Sequence, residues 1–160
     1  MDFGEQTPGR SPRSADAGAR RLFAAVRGAC GEVEGLPARL AVGLGGALEI
    51  LADDPKLAYQ LTVDPYLGDD RSLEARNRWI VRFGDLLRDA AAEDPRASRE
   101  PAFLAPFLIG GVRFQIARLV LRGDVADLPH LLPGTLEALL AYYFEPGEPR
   151  ALADAALTRR

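Results

Sequence analysis

A chain of 160 residues that is 48% hydrophobic and 27% charged holds enough apolar material for one domain of ordinary size with a sizeable core. Its net charge of -3 excludes the global basic footprint of a nucleic-acid-binding surface. Cys30 is the one cysteine, which excludes an internal disulfide and fits a reducing compartment.

Lys56 stands alone against nineteen arginines, a bias we read as that of a GC-rich genome rather than of phosphate recognition. No apolar run reaches the roughly 20 residues of a membrane span without an Arg or Gly interrupting it. The first residues also lack the apolar stretch of a signal peptide. The expectation is a cytoplasmic protein with no membrane contact.

In chain order, residues 1–18 are rich in Gly, Pro, Ser, Asp and Arg and are expected to be disordered. From Ala19 to about Gly31, the spacing of Leu22, Phe23, Val26 and Ala29 predicts a short amphipathic helix. A second helix is predicted over Pro37 to Ala52, with Leu40, Leu44, Leu48 and Leu51 on one stripe and Gly43, Gly45 and Gly46 inside it. Asp53-Asp54-Pro55 stops that helix and caps the next, which carries Leu57, Ala58, Leu61 and Thr62 and ends near Asp64-Pro65. A long helix over Arg71 to Ala92 has the stripe Leu73, Ile80, Phe83 and Leu87, with Trp79, Leu86 and Ala90 alongside. Two apolar helices close the domain, Ala102–Leu121 and Leu128–Phe144, separated by a turn at Arg122-Gly123-Asp124. Residues 146–160 are expected to be a weakly ordered tail with one turn of helix around Ala151–Leu157. No β-alternating run occurs. The chain reads as all-α, one helical domain over residues 19–145.

Few residues offer chemistry. Gly43-Leu-Gly-Gly46 follows no strand and precedes no Gly-Lys-Ser/Thr, so a phosphate loop is not expected. His130 is the single histidine and has no second His or Cys to share a metal, which makes it a surface or capping group. Cys30 reads as a small apolar residue, and Asp53-Asp54 and Asp69-Asp70 read as helix caps. No catalytic residue, metal site or cofactor is expected, and the chain is not expected to be an enzyme.

The aromatic residues Tyr59, Tyr66, Trp79, Phe83, Phe103, Phe107 and Phe114 suit either plain core or an apolar cavity between helices. The closing helices carry more apolar surface than one core needs. Gly110-Gly111 sits inside the first, where each Gly costs about 1 kcal/mol relative to Ala. Gly111, Gln115, Arg118 and Arg122 fall on one line of that helix. Leu132, Leu136, Leu139 and Tyr143 form a core stripe in the second, and Gly134, Ala138 and Ala141 a small-residue stripe. Two such helices can complete a four-helix bundle by twofold pairing.

The order of several segments carries a resemblance. Leu51-Ala-Asp-Asp-Pro-Lys-Leu-Ala58, Ile109-Gly-Gly-Val112, and Gly123-Asp-Val-Ala-Asp-Leu-Pro-His-Leu-Leu-Pro133 leading into Leu136-Glu-Ala-Leu-Leu-Ala-Tyr142 resemble the C-terminal regulatory domain of TetR/AcrR-type transcriptional repressors. Leu22-Phe-Ala-Ala-Val26 resembles the start of the helix that follows the DNA-binding unit in that family. The resemblance covers about residues 20 to 145.

It implies a ligand-sensing domain whose last two long helices form a four-helix homodimer interface, and a small apolar or amphipathic effector held among the middle helices. By analogy and helical face, Trp79, Phe83, Phe107 and Phe114 line that cavity, with Tyr59 and Arg113 as polar handles. Gly111, Gln115, Arg118, Leu131, Ala138 and Tyr142 then lie near the dimer interface. The family contacts DNA through an N-terminal helix-turn-helix. Residues 1–18 are too short and too polar to supply one, so DNA contact is expected only through a domain not present in this chain. The alternative expectation is a headless homologue, an interaction module that heterodimerises with full-length regulators.

Overall fold

The computed structural model describes residues 12–67, 70–98 and 101–160. Among these residues the regular structure is entirely helical: α1 (Pro12–Gly31), α2 (Leu36–Asp53), α3 (Pro55–Thr62), α4 (Asp64–Leu67), α5 (Asp70–Glu93), α6 (Leu104–Arg122), a 3-10 segment (Val125–Leu131), α7 (Leu132–Leu140) and α8 (Pro149–Thr158).

α2 is the central helix. It packs against α1, α3, α5, the 3-10 segment, α7 and α8. Its sequence permits this because nearly every side is apolar or small: Leu36, Ala41, Gly43, Gly45, Leu48 and Leu51 are all buried. Leu36 and Leu48 join Leu128, Leu136 and Leu140 as the largest fully enclosed side chains. Each such leucine contributes about 1.5–3 kcal/mol relative to an exposed one. Gly43 serves close approach, since a Cβ there would sit 2.7 Å from the Cys30 sulfur on α1.

Both ends of α2 are fixed by identifiable groups. Gly35 precedes it with φ of 81°, a conformation that costs other residues strain, and Pro37 occupies the first turn. The backbone N–H of Leu36 donates to Asp94 Oδ2 at 2.9 Å, across 58 residues of chain. Asp94 also accepts from the Arg96 backbone N–H at 3.0 Å. It is buried. Burial pushes its carboxyl up, but the hydrogen bonds from Arg96 and Leu36 outweigh this and hold it below the ordinary carboxylate range. At the far end Asp54 accepts from Leu57 N at 2.9 Å and caps α3, as the Asp-Pro pair predicts.

α6 packs against α3, α5 and the 3-10 segment. Its crossing with α5 is tight, since a Cβ on Gly84 would lie 2.9 Å from the backbone N of Pro106. Gly123 ends it with φ of 83°. The Gly123 N–H bonds to the Val120 carbonyl and the Asp124 N–H to that of Leu119, the paired closure typical of a glycine-terminated helix. Among the described residues, α6 is the one helix long and apolar enough, by length and composition, to cross a membrane, and a third of it is buried inside the protein.

Three expectations change. α1 begins at Pro12, seven residues before Ala19, so residues 12–18 of the expected disordered segment are helical while residues 1–11 lie outside the described residues. The extra turns are held on the protein: Gly18 is buried, and Asp16 accepts from Trp79 Nε1 at 3.1 Å. The expected weak tail contains α8, whose Ala153 and Ala156 are buried as it packs on α7 and α2.

Leu128–Phe144 is not one long helix either. Pro129 lacks an N–H and stands in the 3-10 segment, while Pro133 suits the first turn of a new helix. α7 is therefore nine residues long, and the chain leaves it through i→i−3 bonds at Tyr142 and Tyr143. The expected pair of long closing helices reduces to one long helix and one short one. The core stripe Leu132, Leu136, Leu139 and Tyr143 is buried as its spacing predicts.

Candidate functional site

The site is an apolar cavity of about 440 Å³ among α1, α2, α3, α5 and α6. Helical periodicity builds each wall. On α1 the wall is Ala15, Ala19, Leu22, Val26 and Cys30, one face at steps of three and four. On α2 it is Leu40, Gly43, Leu44, Ala47 and Leu51, and on α5 Trp79, Ile80, Phe83 and Leu86. α6 contributes Ile109, Val112, Arg113 and Ile116. Many of these side chains are half-buried rather than enclosed, because they face the cavity and not another side chain.

Aromatic rings brace the α1–α5 side. Phe23 meets Trp79 with centroids 5.9 Å apart and Phe83 edge-on at 5.1 Å. The Arg82 guanidinium lies 5.0 Å from the Trp79 ring centre. The indole N–H is engaged by Asp16, which Arg20 also holds one turn along α1. The hydrogen bond from Arg20 lowers the Asp16 carboxyl below its ordinary value, and the bond from Trp79 adds to this.

On the α3–α4 side, Gln60, Leu61, Thr62, Asp64 and Pro65 line the cavity. Arg113 reaches across from α6 and donates to the backbone carbonyls of Leu61 at 3.2 Å and Thr62 at 2.7 Å, satisfying the carbonyl end of α3. The Thr62 hydroxyl donates to the Ala58 carbonyl at 2.7 Å. At the opposite end of α1, Cys30 lines the cavity, and burial pushes its thiol up despite the nearby Arg39.

Three of the six cavity residues expected from sequence meet here: Trp79, Phe83 and Arg113. Tyr59 is half-buried on α3 but outside the lining. Phe107 and Phe114 also lie outside the lining. They are 67% and 58% exposed on the side of α6 away from the cavity, because Leu108, Val112 and Ile116 take the inward face and residues one helical step off that face turn outward. With Phe103 and Leu121, both about 70% exposed, they form an apolar stripe along the outside of the helix.

The residues expected at a subunit interface are mostly outward-facing. Gly111, Gln115 and Arg118 are exposed on α6, with Arg118 bonded to Gln115 at 3.0 Å. Ala138 and Tyr142 are exposed, and Leu131 is half-buried. His130 is exposed, 3.5 Å from Asp127, as a surface histidine.

Sequence reading missed Asp16, Cys30 and Gln60 at the cavity, and Phe23 as the ring that braces Trp79 and Phe83. Cys30 was legible as the next step of the Leu22–Val26 stripe. Gln60 had no such signal, as one of several polar residues on α3. No protein-family model matches the chain, and no curated protein and no solved structure matches it.

Proposed function

We propose that the chain is a ligand-sensing and dimerisation domain of TetR-like type, holding a small apolar or amphipathic effector among α1, α2, α3, α5 and α6. The observation that carries this is the cavity. Its volume of about 440 Å³ falls in the range of small-molecule sites, and its lining is aliphatic and aromatic with a few polar groups converging from α3 and α6. Such a space between helices lets a ligand bias the position of α1, whose length borders it, by its differential affinity for two arrangements.

The test uses Trp79, the single tryptophan, as reporter. A neutral apolar dye such as Nile red is expected to quench or shift its fluorescence. At about a hundred times its Kd it is expected to raise the melting temperature by about 5–10 °C. Filling the space with Ala47→Phe should abolish both effects. An apolar ligand panel that moves neither signal in the unmodified protein sinks the proposal.

A second reading has its own observation, the exposed stripe Phe103, Phe107, Phe114 and Leu121. It favours an interaction module that pairs through α6 with a full-length regulator. Mixing the chain with such a regulator is expected to weaken operator binding; unchanged binding refutes this second reading.

A further inference from the structure

The charged groups around the cavity are already engaged within the protein. Asp16 is held by Arg20 and by the Trp79 indole. Arg39 donates to the Val33 carbonyl at 3.1 Å and pairs with Glu93. Arg113 donates to the Leu61 and Thr62 carbonyls, and Asp64 and Arg76 have partners of their own. The rest of the wall is aliphatic, aromatic or thiol. An ionised ligand would leave water for a mostly apolar space in which Arg39 and Arg113 already direct donors at Glu93 and at backbone carbonyls, and a poorly compensated buried ion is strongly disfavoured.

One polar side chain differs. Gln60 lines the cavity from α3, is half-buried, and its amide has no hydrogen-bond partner among the described residues. An amide offers both a donor and an acceptor without a charge. It directly precedes Leu61 and Thr62, whose carbonyls Arg113 occupies, and it lines the cavity itself.

We infer that the cavity selects an uncharged, largely hydrocarbon ligand bearing one hydroxyl or carbonyl group, which pairs with the Gln60 amide. This rests on the cavity being a ligand site at all. The raised thiol of Cys30, disfavoured as a thiolate by burial, is in keeping with a wall that does not stabilise charge.

The experiment compares three ligands of one chain length, 1-decanol, decanoate and decylammonium, by Trp79 fluorescence and thermal melting at pH 7. Decanol is expected to bind at least about tenfold tighter than either ion. Gln60→Leu is expected to weaken decanol about five- to tenfold while leaving decane unchanged, a pattern that simple unfolding cannot produce. Decanoate or decylammonium binding as tightly as decanol overturns the inference and leaves the ligand site standing. Equal decanol affinity in Gln60→Leu overturns the role of Gln60. Failure of all four compounds to bind removes the site itself, and the inference with it.

Discussion

α6 is apolar on both sides, but its two sides meet different surroundings. Inward, Leu108, Ile116 and Val120 are buried against the core, while Ile109, Val112 and Arg113 border the cavity. Outward, Phe103, Phe107, Phe114 and Leu121 present large apolar surface to the exterior. The inner side is explained by the chain's own folding: each residue has neighbours, and the single charge is satisfied by carbonyls of α3. The outer side has no such account within one chain. A row of exposed apolar residues at helical spacing gains nothing from folding, and such a row is the surface on which the proposed pairing is to be tested. Hydrophobic pattern alone therefore does not say which apolar residues the chain itself covers.

The inner side is where the largest effects lie. Ile116→Ala is expected to cost about 2–4 kcal/mol, because it removes buried methyl groups between the core and the cavity and the tight α5–α6 seam resists collapse. Urea denaturation reads this as a lower midpoint at unchanged slope. A loss under about 1 kcal/mol would mean that the cavity side of α6 is already loose.

Next comes the anchor that fixes the helices beneath it. Asp94→Asn is expected to cost about 1–3 kcal/mol at pH 7, since it weakens the charge-assisted bonds to Leu36 N and Arg96. The folded Asp94 carboxyl lies below its ordinary value, so its contribution is fully present above the unfolded value of about 3.9. It is lost as pH falls through the lower folded value. The stability gap between the two proteins should therefore close below about pH 4, and a gap that persists in acid would assign the effect to shape rather than charge.

The all-α architecture was legible because the stripes Leu22–Val26, Leu40–Leu51 and Leu132–Tyr143 repeat at three and four residues and point into the core or, at Leu40 and Leu44, onto the cavity. Asp54 as a cap was legible because Asp-Pro has a single local meaning. Two kinds of feature were not. Helix extent at 12–18 and 149–158 depends on tertiary contacts made by alanines and by Asp16, whose composition alone looks like linker. The allocation of aromatics to cavity or exterior depends on one helical step: Phe107 and Leu108 are equally apolar, yet one is exposed and the other enclosed. Rotation of a helix that is apolar on all sides has no sequence signature, which is why Trp79 and Phe83, on a helix with a polar face, were placed and Phe107 and Phe114 were not.

Gly110 and Gly111 test the outer side with the smallest perturbation. A Cβ on either would meet no neighbouring atom within 4 Å, so nothing among the described residues requires glycine there. Gly110→Ala is then expected to stabilise the isolated chain by about 0.5–1 kcal/mol through helix propensity alone. If the outer stripe is covered by a second copy, the same methyl group intrudes where two backbones approach between Phe107 and Phe114, and sedimentation should show weaker self-association. Phe107→Ser supplies the companion measurement: near-neutral for folding, since the ring is exposed, and unfavourable for association, since the ring is what a partner would bury. Stability that rises in Gly110→Ala with association unchanged in both variants would detach the stripe from self-pairing. Opposite signs in the two assays would instead give the glycine pair the reason that folding does not provide.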